Sequence, residues 1–140
     1  MNEIIKMVVG FDQRESVAYH TFVQSIIEKS SLPVSFTPLS INTLKGYEEK
    51  HEERSNDFVY SRFLTPYLNN FEGWAIFADG DMICQADIKE LWDLRDESKA
   101  VLVVKHDYKT KANKKYLGNK NENYPKKKLV KFDFMELQSS

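Results

Sequence analysis

Two aspartates separated by one glycine, Asp79-Gly80-Asp81, form the pattern in this sequence that is best suited to chemistry. Carboxylates at this spacing can bind one hard cation, and Mg²⁺ and Mn²⁺ prefer oxygen ligands, including those of a diphosphate. A cation held there would neutralise a departing diphosphate, and Gly80 would leave room for a phosphate to approach. Asp and Gly are also common in turns, so a plain turn between two strands is the alternative interpretation.

The residues around this pair predict how it is presented. Residues 74–78 form a compact apolar run, which predicts a buried strand. That strand would deliver the acidic pair to its carboxyl end, where open α/β sheets bind ligands. Residues 82–84 predict a second short strand, and Asp87 is expected to begin a helix.

The remaining pattern alternates strands with helices. We predict strands at residues 4–11, 34–39 and 100–104, helices at 14–29 and 58–68, and a polar loop or frayed helix at 42–57. Asp12 is expected to cap the first helix, and Pro66 is expected to kink or end the second. The alternation indicates an α/β fold with a mostly parallel sheet flanked by helices. Residues 1–105 are expected to form this domain, and residues 106–140 a lysine-rich loop and atypical tail that belongs to it or is disordered.

The amino-acid composition further limits the kind of protein that this chain can be. The chain has 140 residues, of which 41% are hydrophobic and 29% are charged, as expected for a single globular domain. A net charge of −1 argues against nucleic acid as a partner, and we interpret the lysine-rich segment as a solvated loop. A single cysteine, Cys84, fits a reducing compartment. Without a signal-peptide pattern or an apolar run of about 20 residues, the expected location is cytoplasmic, with no transmembrane segment.

Three segments carry a resemblance to a known family. The run "WAIFADGDMICQADIKELWDL" resembles the DxD segment of GT-A-fold glycosyltransferases, especially those similar to glycosyltransferase family eight. "VVGFDQRESVAYHTFVQSI" resembles the first strand, nucleotide-contacting loop and first helix of that family, and "FVYSRFLTPYL" resembles the helix before the DxD strand. The three segments occur in the family's order and cover most of residues 4–105. The resemblance implies a Rossmann-like fold for nucleotide-diphospho-sugar transfer, incomplete at the C-terminus.

The resemblance also implies roles for individual residues. Asp79 and Asp81 would hold Mn²⁺ or Mg²⁺ against the diphosphate, and Arg62 would lie near the phosphates or brace Asp79. Without the resemblance, a surface salt bridge is an equal interpretation of Arg62. No catalytic residue is assigned. The implied nucleotide-sugar site consists of Gly10, Phe11, Asp12, Arg14, Arg62, Ala78 and Asp79.

The implied reaction is transfer of a sugar from a nucleoside diphosphate sugar to a carbohydrate, lipid or protein acceptor, with retention of configuration. One alternative is a truncated fragment that binds the nucleotide without turnover. Another is phosphoryl transfer of the haloacid-dehalogenase type with Asp79 as nucleophile. In that pattern Thr or Val normally stands two residues after the second aspartate, where this chain has Ile83.

The sequence departs from the family near its end, where an Asn-Trp-Ser-Ser segment is expected and "KLVKFDFMELQSS" stands instead. One choice of codons for residues 128–140, read one base later, gives that segment. We therefore expect a frameshifted truncation, which the gene's nucleotide sequence would test. Several further polar residues are interpreted as packing, boundary or surface groups, with His106 and Asp107 alternatively bordering the sugar or acceptor: His20, His51, Tyr60, Cys84, His106 and Asp107.

Overall fold

The computed structural model describes residues 3–50 and 57–105, together with residues 130–131 and 135–137. Short 3₁₀ helices occur at Gln13–Glu15, Ile41–Thr43 and Ser61–Leu64. The strands and α-helices are β1 (Ile5–Gly10), α1 (Ser16–Ile27), β2 (Val34–Leu39), α2 (Thr65–Leu68), β3 (Gly73–Ala78), α3 (Ile88–Trp92), β4 (Val104–Lys105), β5 (Val130–Lys131) and β6 (Met135–Leu137).

The main sheet has the strand order β2-β1-β3-β6. β1 lies at its centre and pairs in parallel with both β2 and β3. β6 pairs antiparallel with the outer side of β3. The predicted α/β fold with a mostly parallel sheet flanked by helices is therefore confirmed. β4 and β5 form a separate antiparallel pair.

The sheet packs on both faces, which explains why β1 and β3 are almost continuously apolar. Alternate strand residues point to opposite faces. One face meets α1 and α3 in a cluster that contains Met7, Val9, Ile76 and Phe22. The other face meets residues 57–68 through a smaller cluster of Val8, Leu39, Phe58 and Phe77. The second face is the one that positions the candidate site.

The helices differ in detail from the sequence prediction. The first begins as the 3₁₀ helix Gln13–Glu15, and Asp12 caps it as predicted, since its side chain accepts from the Arg14 N–H at 2.9 Å. The second is a 3₁₀ helix followed by the four-residue α2, and Pro66 lies in the first turn of α2. Pro66 stands where the 3₁₀ helix gives way to α2, a position that suits proline because an N–H in the first turn needs no partner within the helix.

Two predicted strands were wrong. Residues 82–84 form no strand, because the Cys84 N–H donates to the Ser25 hydroxyl at 2.8 Å and so ties the segment to α1 instead of to a neighbouring strand. The buried strand expected at residues 100–104 is replaced by the two-residue β4. Val101 and Val104 are 40% and 39% exposed, because β4 pairs only with β5, outside the main sheet.

The predicted loop at residues 42–57 begins within a 3₁₀ helix and is otherwise irregular where the structure describes it. Residues 51–56 lie outside the described residues, as do most of residues 106–140, so the predicted boundary after residue 105 stays a prediction. No helix in the described ranges combines the length and apolar character needed to cross a membrane.

Candidate functional site

The acidic pair follows β3 directly, at the carboxyl edge of the parallel sheet. Asp79 is buried, with 8% of its surface exposed, whereas Asp81 is exposed to solvent. Gly80 lies between them and is buried. β3 therefore presents one carboxylate that is held by the protein and one that is open to solvent, at the edge where α/β sheets bind ligands.

Arg62 reaches the first of these carboxylates. Its Nη2 lies 3.3 Å from Oδ1 of Asp79, and both side chains are largely shielded, at 16% and 11% exposure. Its Nε donates to the Phe58 carbonyl oxygen at 3.2 Å. From the sequence, Arg62 could form a surface salt bridge, brace Asp79 or contact a phosphate. In the structure, Arg62 forms a shielded ion pair with Asp79 and so braces it.

Two phenylalanine rings flank the Arg62 guanidinium. The guanidinium carbon lies 5.1 Å from the ring centre of Phe77 and 5.7 Å from that of Phe58. Both rings are buried, and a cation over a buried ring is stabilised by the ring's quadrupole. Sequence reasoning missed this contact, although Phe58 and Arg62 stand four residues apart, a spacing at which helical neighbours meet.

The ends of β1 and β3 touch at two glycines. A Cβ added to Gly80 would lie 2.2 Å from the Gly10 carbonyl oxygen, and one added to Gly10 would lie 2.6 Å from the Phe58 ring. Gly80 is therefore needed for close packing of the two strand ends. The interpretation that its missing side chain leaves space for a phosphate was wrong, because the Gly10 carbonyl fills that space.

Asp12 extends this contact to the next segment. Its side chain is buried, and its Oδ1 accepts from the Arg14 Nε at 2.9 Å. Its Oδ2 accepts from the Asp57 N–H at 3.3 Å and forms an ion pair with the Arg14 guanidinium. The hydrogen bond from the Arg14 side chain is the main reason that the pKa of Asp12 is lowered. Asp12 thus ties the end of β1 to the segment that carries Phe58 and Arg62.

The other predicted site residues take different positions. Arg14 binds Asp12 and keeps 48% of its side chain exposed. Phe11 is half-buried, with its ring edge-on to Tyr19 at 5.4 Å between ring centres. Ala78 packs in the core beneath α1, so only its backbone can face a ligand. Their roles toward a nucleotide stay predictions.

The weaker candidates are placed as follows. His20 is exposed beside the Tyr19 ring, and Tyr60 is half-buried. The Cys84 thiol donates to the Ala86 carbonyl oxygen at 3.0 Å, consistent with a packing residue. His51, His106 and Asp107 lie outside the described residues.

The donor set of the acidic pair suits a hard cation. No group of three or more His, Cys, Asp and Glu side chains able to hold a metal occurs within residues 3–50 and 57–105. Two carboxylates are nevertheless sufficient for a cation such as Mg²⁺, which is commonly held by one or two carboxylates and completed by substrate phosphates and water. The residues present therefore fit a cation that arrives with a phosphorylated ligand.

Two cavities are formed elsewhere by described residues. One of 460 Å³ lies between residues 43–47 and residues 64–68. Another of 520 Å³ lies beside the start of α3 and is bordered by Cys84 and Leu91. Neither is lined by Asp79 or Asp81, so the candidate site is neither of these two cavities.

A mostly parallel sheet flanked by helices, with an acidic pair at its carboxyl edge, places the chain among α/β proteins, which bind ligands at the carboxyl ends of their strands. Comparison with known proteins identifies the family within this class. Residues 6–133 match the family Glycosyl transferase family 8, and the chain belongs to this family. The predicted family and its GT-A-like α/β fold are thereby confirmed.

A relative with a curated description is similar over most of the chain. Protein CDI of Arabidopsis thaliana is 43% identical over 126 residues, which cover 87% of this chain and 49% of CDI. The chain therefore spans about half the length of this relative. No solved structure matches the chain significantly.

Proposed function

We propose that this chain binds a nucleoside diphosphate sugar through Mn²⁺ or Mg²⁺ held by Asp79 and Asp81, and that the sugar is transferred to an acceptor hydroxyl. The observation that carries the proposal is the acidic pair at the end of β3, with Asp79 braced by Arg62 at 3.3 Å. Membership of glycosyl transferase family 8 supports the reaction class. The acceptor is a carbohydrate, a lipid or a protein.

The charges at the sheet edge support this chemistry. Cleavage of the sugar–phosphate bond builds negative charge on the departing diphosphate, and the bound cation supplies compensating positive charge. Arg62 places a second positive charge beside Asp79, in a position shielded from water where electrostatic interactions are stronger. Because its planar group is fixed by the Phe58 carbonyl and two rings, this charge needs little reorganisation when the ligand binds.

The two aspartates have separate parts in the proposal. Asp79 is buried and paired, so it fixes where the cation sits relative to the sheet. Asp81 is exposed and follows two residues later, so its carboxylate would be available as a second ligand for the cation. A divalent cation held by these two carboxylates would neutralise negative charge on the diphosphate.

Calorimetry tests the binding step. We expect UDP, ADP or GDP to bind in the presence of Mn²⁺ and to bind much more weakly after chelation with EDTA. Asp79→Asn and Asp81→Asn are each expected to weaken nucleotide–Mn²⁺ binding by at least about tenfold, since even residues that only orient a metal ligand cost that much. Asp93→Asn is the matched control, because Asp93 pairs with Lys89 on the exposed side of α3. Equal affinities in all three variants would overturn the proposal.

Binding without transfer is a second candidate function. The chain spans about half the length of its relative CDI, and none of the described residues has been assigned to an acceptor. A donor-turnover assay beside the calorimetry separates the two candidates: nucleotide–Mn²⁺ binding with neither sugar release nor transfer favours binding alone. The haloacid-dehalogenase alternative gains no support from the family match.

A further inference from the structure

Phe58 contacts two parts of the candidate site, the end of β1 at Gly10 and the side chain of Arg62. Its ring lies against Gly10 at the end of β1, since three ring carbons stand 2.6–2.8 Å from where a Gly10 Cβ would be. Its carbonyl oxygen accepts from both the backbone N–H and the Nε of Arg62 at 3.2 Å. Its ring also forms one wall beside the Arg62 guanidinium, and Phe77 forms another.

We propose that Phe58 is a positioning residue, which fixes the Arg62 guanidinium against Asp79 and thereby sets the affinity of the site for a diphosphate. The inference rests on the proposed function, because it assigns a role within that same site. Phe58 itself need not touch the ligand. It acts by restricting where the guanidinium can lie.

The restriction follows from geometry. An arginine side chain has several rotatable bonds and would otherwise sample many positions. Here the Nε–H of Arg62 points to the Phe58 carbonyl, while the two rings confine the guanidinium at 5.7 and 5.1 Å from their centres. The guanidinium is thereby left facing the carboxylate of Asp79. Gly10 makes this possible, since any larger residue there would collide with the Phe58 ring.

A leucine at position 58 tests the ring directly, because it keeps an apolar side chain and removes the aromatic face. We expect Phe58→Leu to weaken binding of UDP–Mn²⁺ by about five- to thirty-fold, the range that corresponds to losing one desolvated cation–ring contact. Mn²⁺ alone should bind within about twofold of wild type, because Asp79 and Asp81 are unchanged.

Phe22→Leu is the matched control. Phe22 and Phe58 are both 3% exposed, but Phe22 belongs to α1 and packs against the opposite face of the sheet. Both variants should lose comparable stability, and only Phe58→Leu should lose diphosphate affinity. Equal losses of affinity in the two variants would show that general loosening of the core is responsible and would overturn the proposal.

A double-mutant cycle separates positioning from mere packing. In an Arg62→Met background the guanidinium is gone, so Phe58→Leu should reduce UDP–Mn²⁺ affinity by no more than about twofold further. A further loss as large as that in the wild-type background would overturn the proposal. If Phe58→Leu does not unfold cooperatively, Phe58→Met, which keeps more of the side-chain volume, replaces it in the cycle.

A readout that needs no ligand distinguishes failure of this inference from failure of the proposed function. If the wild-type protein binds none of UDP, ADP or GDP with Mn²⁺, the proposed function fails. The inference is then judged by NMR from the solvent exchange of the Arg62 Nε–H, identified by its absence in Arg62→Met. If Phe58 positions Arg62, the Arg62 Nε–H should exchange with solvent at least about tenfold more slowly in the wild type than in the position-58 variant, as expected for a shielded donor. Equal exchange rates in the two proteins would overturn the inference.

Discussion

Replacing Gly80 by alanine tests whether the two strand ends are as close as the structure places them. The added Cβ would lie 2.2 Å from the Gly10 carbonyl oxygen, roughly 1.3 Å inside the optimal separation of non-bonded atoms. The obstacle is backbone, and Gly10 is fixed in the sheet opposite Leu39, so no side chain can rotate to relieve the clash. The end of β1 or the Asp79–Asp81 segment must move instead.

The expected cost follows from this geometry. Overpacking a tightly packed site costs about 1–3 kcal/mol, and a clash with backbone belongs at the upper end. We therefore expect Gly80→Ala to lower the free energy of unfolding by about 3 kcal/mol and the melting temperature by about 10 °C. UDP–Mn²⁺ binding should weaken as well, because Asp79 and Asp81 flank the displaced residue.

Urea and thermal unfolding followed by circular dichroism measure the effect, beside calorimetry on the folded variant. Gly46→Ala is the control: its φ is +81° and no atom lies within 4 Å of the added Cβ. This control should cost about 1–2 kcal/mol through backbone strain alone and leave nucleotide binding intact. If Gly80→Ala destabilises the protein no more than Gly46→Ala does, the close approach of β1 and β3 is refuted.

Two further predictions concern partly buried hydrogen bonds. The pKa of Asp12 is lowered by Arg14, so its contribution to stability is complete above its unfolded value of about 3.9 and is lost as the pH falls through the lower, folded value. Asp12→Asn should lower the free energy of unfolding by about 1–2 kcal/mol at pH 7. Below pH 5 the variant should lose less stability on acidification than the wild type does, as measured by urea unfolding. An unchanged pH profile would contradict this prediction. Ser25→Ala removes the acceptor of the Cys84 N–H and should lower the free energy of unfolding by about 1–3 kcal/mol. Thr21→Ala, which removes an exposed hydroxyl on the same helix, is the control and should lower it by less. Equal losses in the two variants would show that the hydrogen bond between Ser25 and Cys84 contributes nothing.

The parts of the fold that sequence patterns predicted are those fixed by local chemistry. β3 and, apart from Lys6, β1 are apolar runs, as expected for strands of a parallel sheet buried on both faces. Asp12 was identified as a helix cap from its residue type and place, and it caps. The position of Asp79 at the carboxyl end of β3 followed from the strand prediction alone.

The parts that could not be predicted depend on contacts between distant segments. Residues 82–84 look like a strand, and only the hydrogen bond from Cys84 to Ser25 on α1 shows why they form none. The sequence offers an arginine and an aspartate at positions 62 and 79, but their pairing came from the family resemblance and not from spacing. The sequence does not show why position 80 must be glycine, because the group that a side chain there would meet is the carbonyl of Gly10, 70 positions earlier in the chain.

The alternation of faces along β3 constrains how the length of this chain can vary. Phe77 lies on the sheet face that meets residues 57–68, and Asp79 meets Arg62 from the same side. Inserting a single residue into β3 would exchange the two faces and turn Ala78 or Gly80 toward Arg62, whereas two residues would keep the face but shift the carboxylate by about 6.6 Å along the strand. Homologous chains should therefore place their insertions and deletions in the turn before β3, where Asn70 and Phe71 already adopt left-handed backbone angles, and keep the strand itself constant in length.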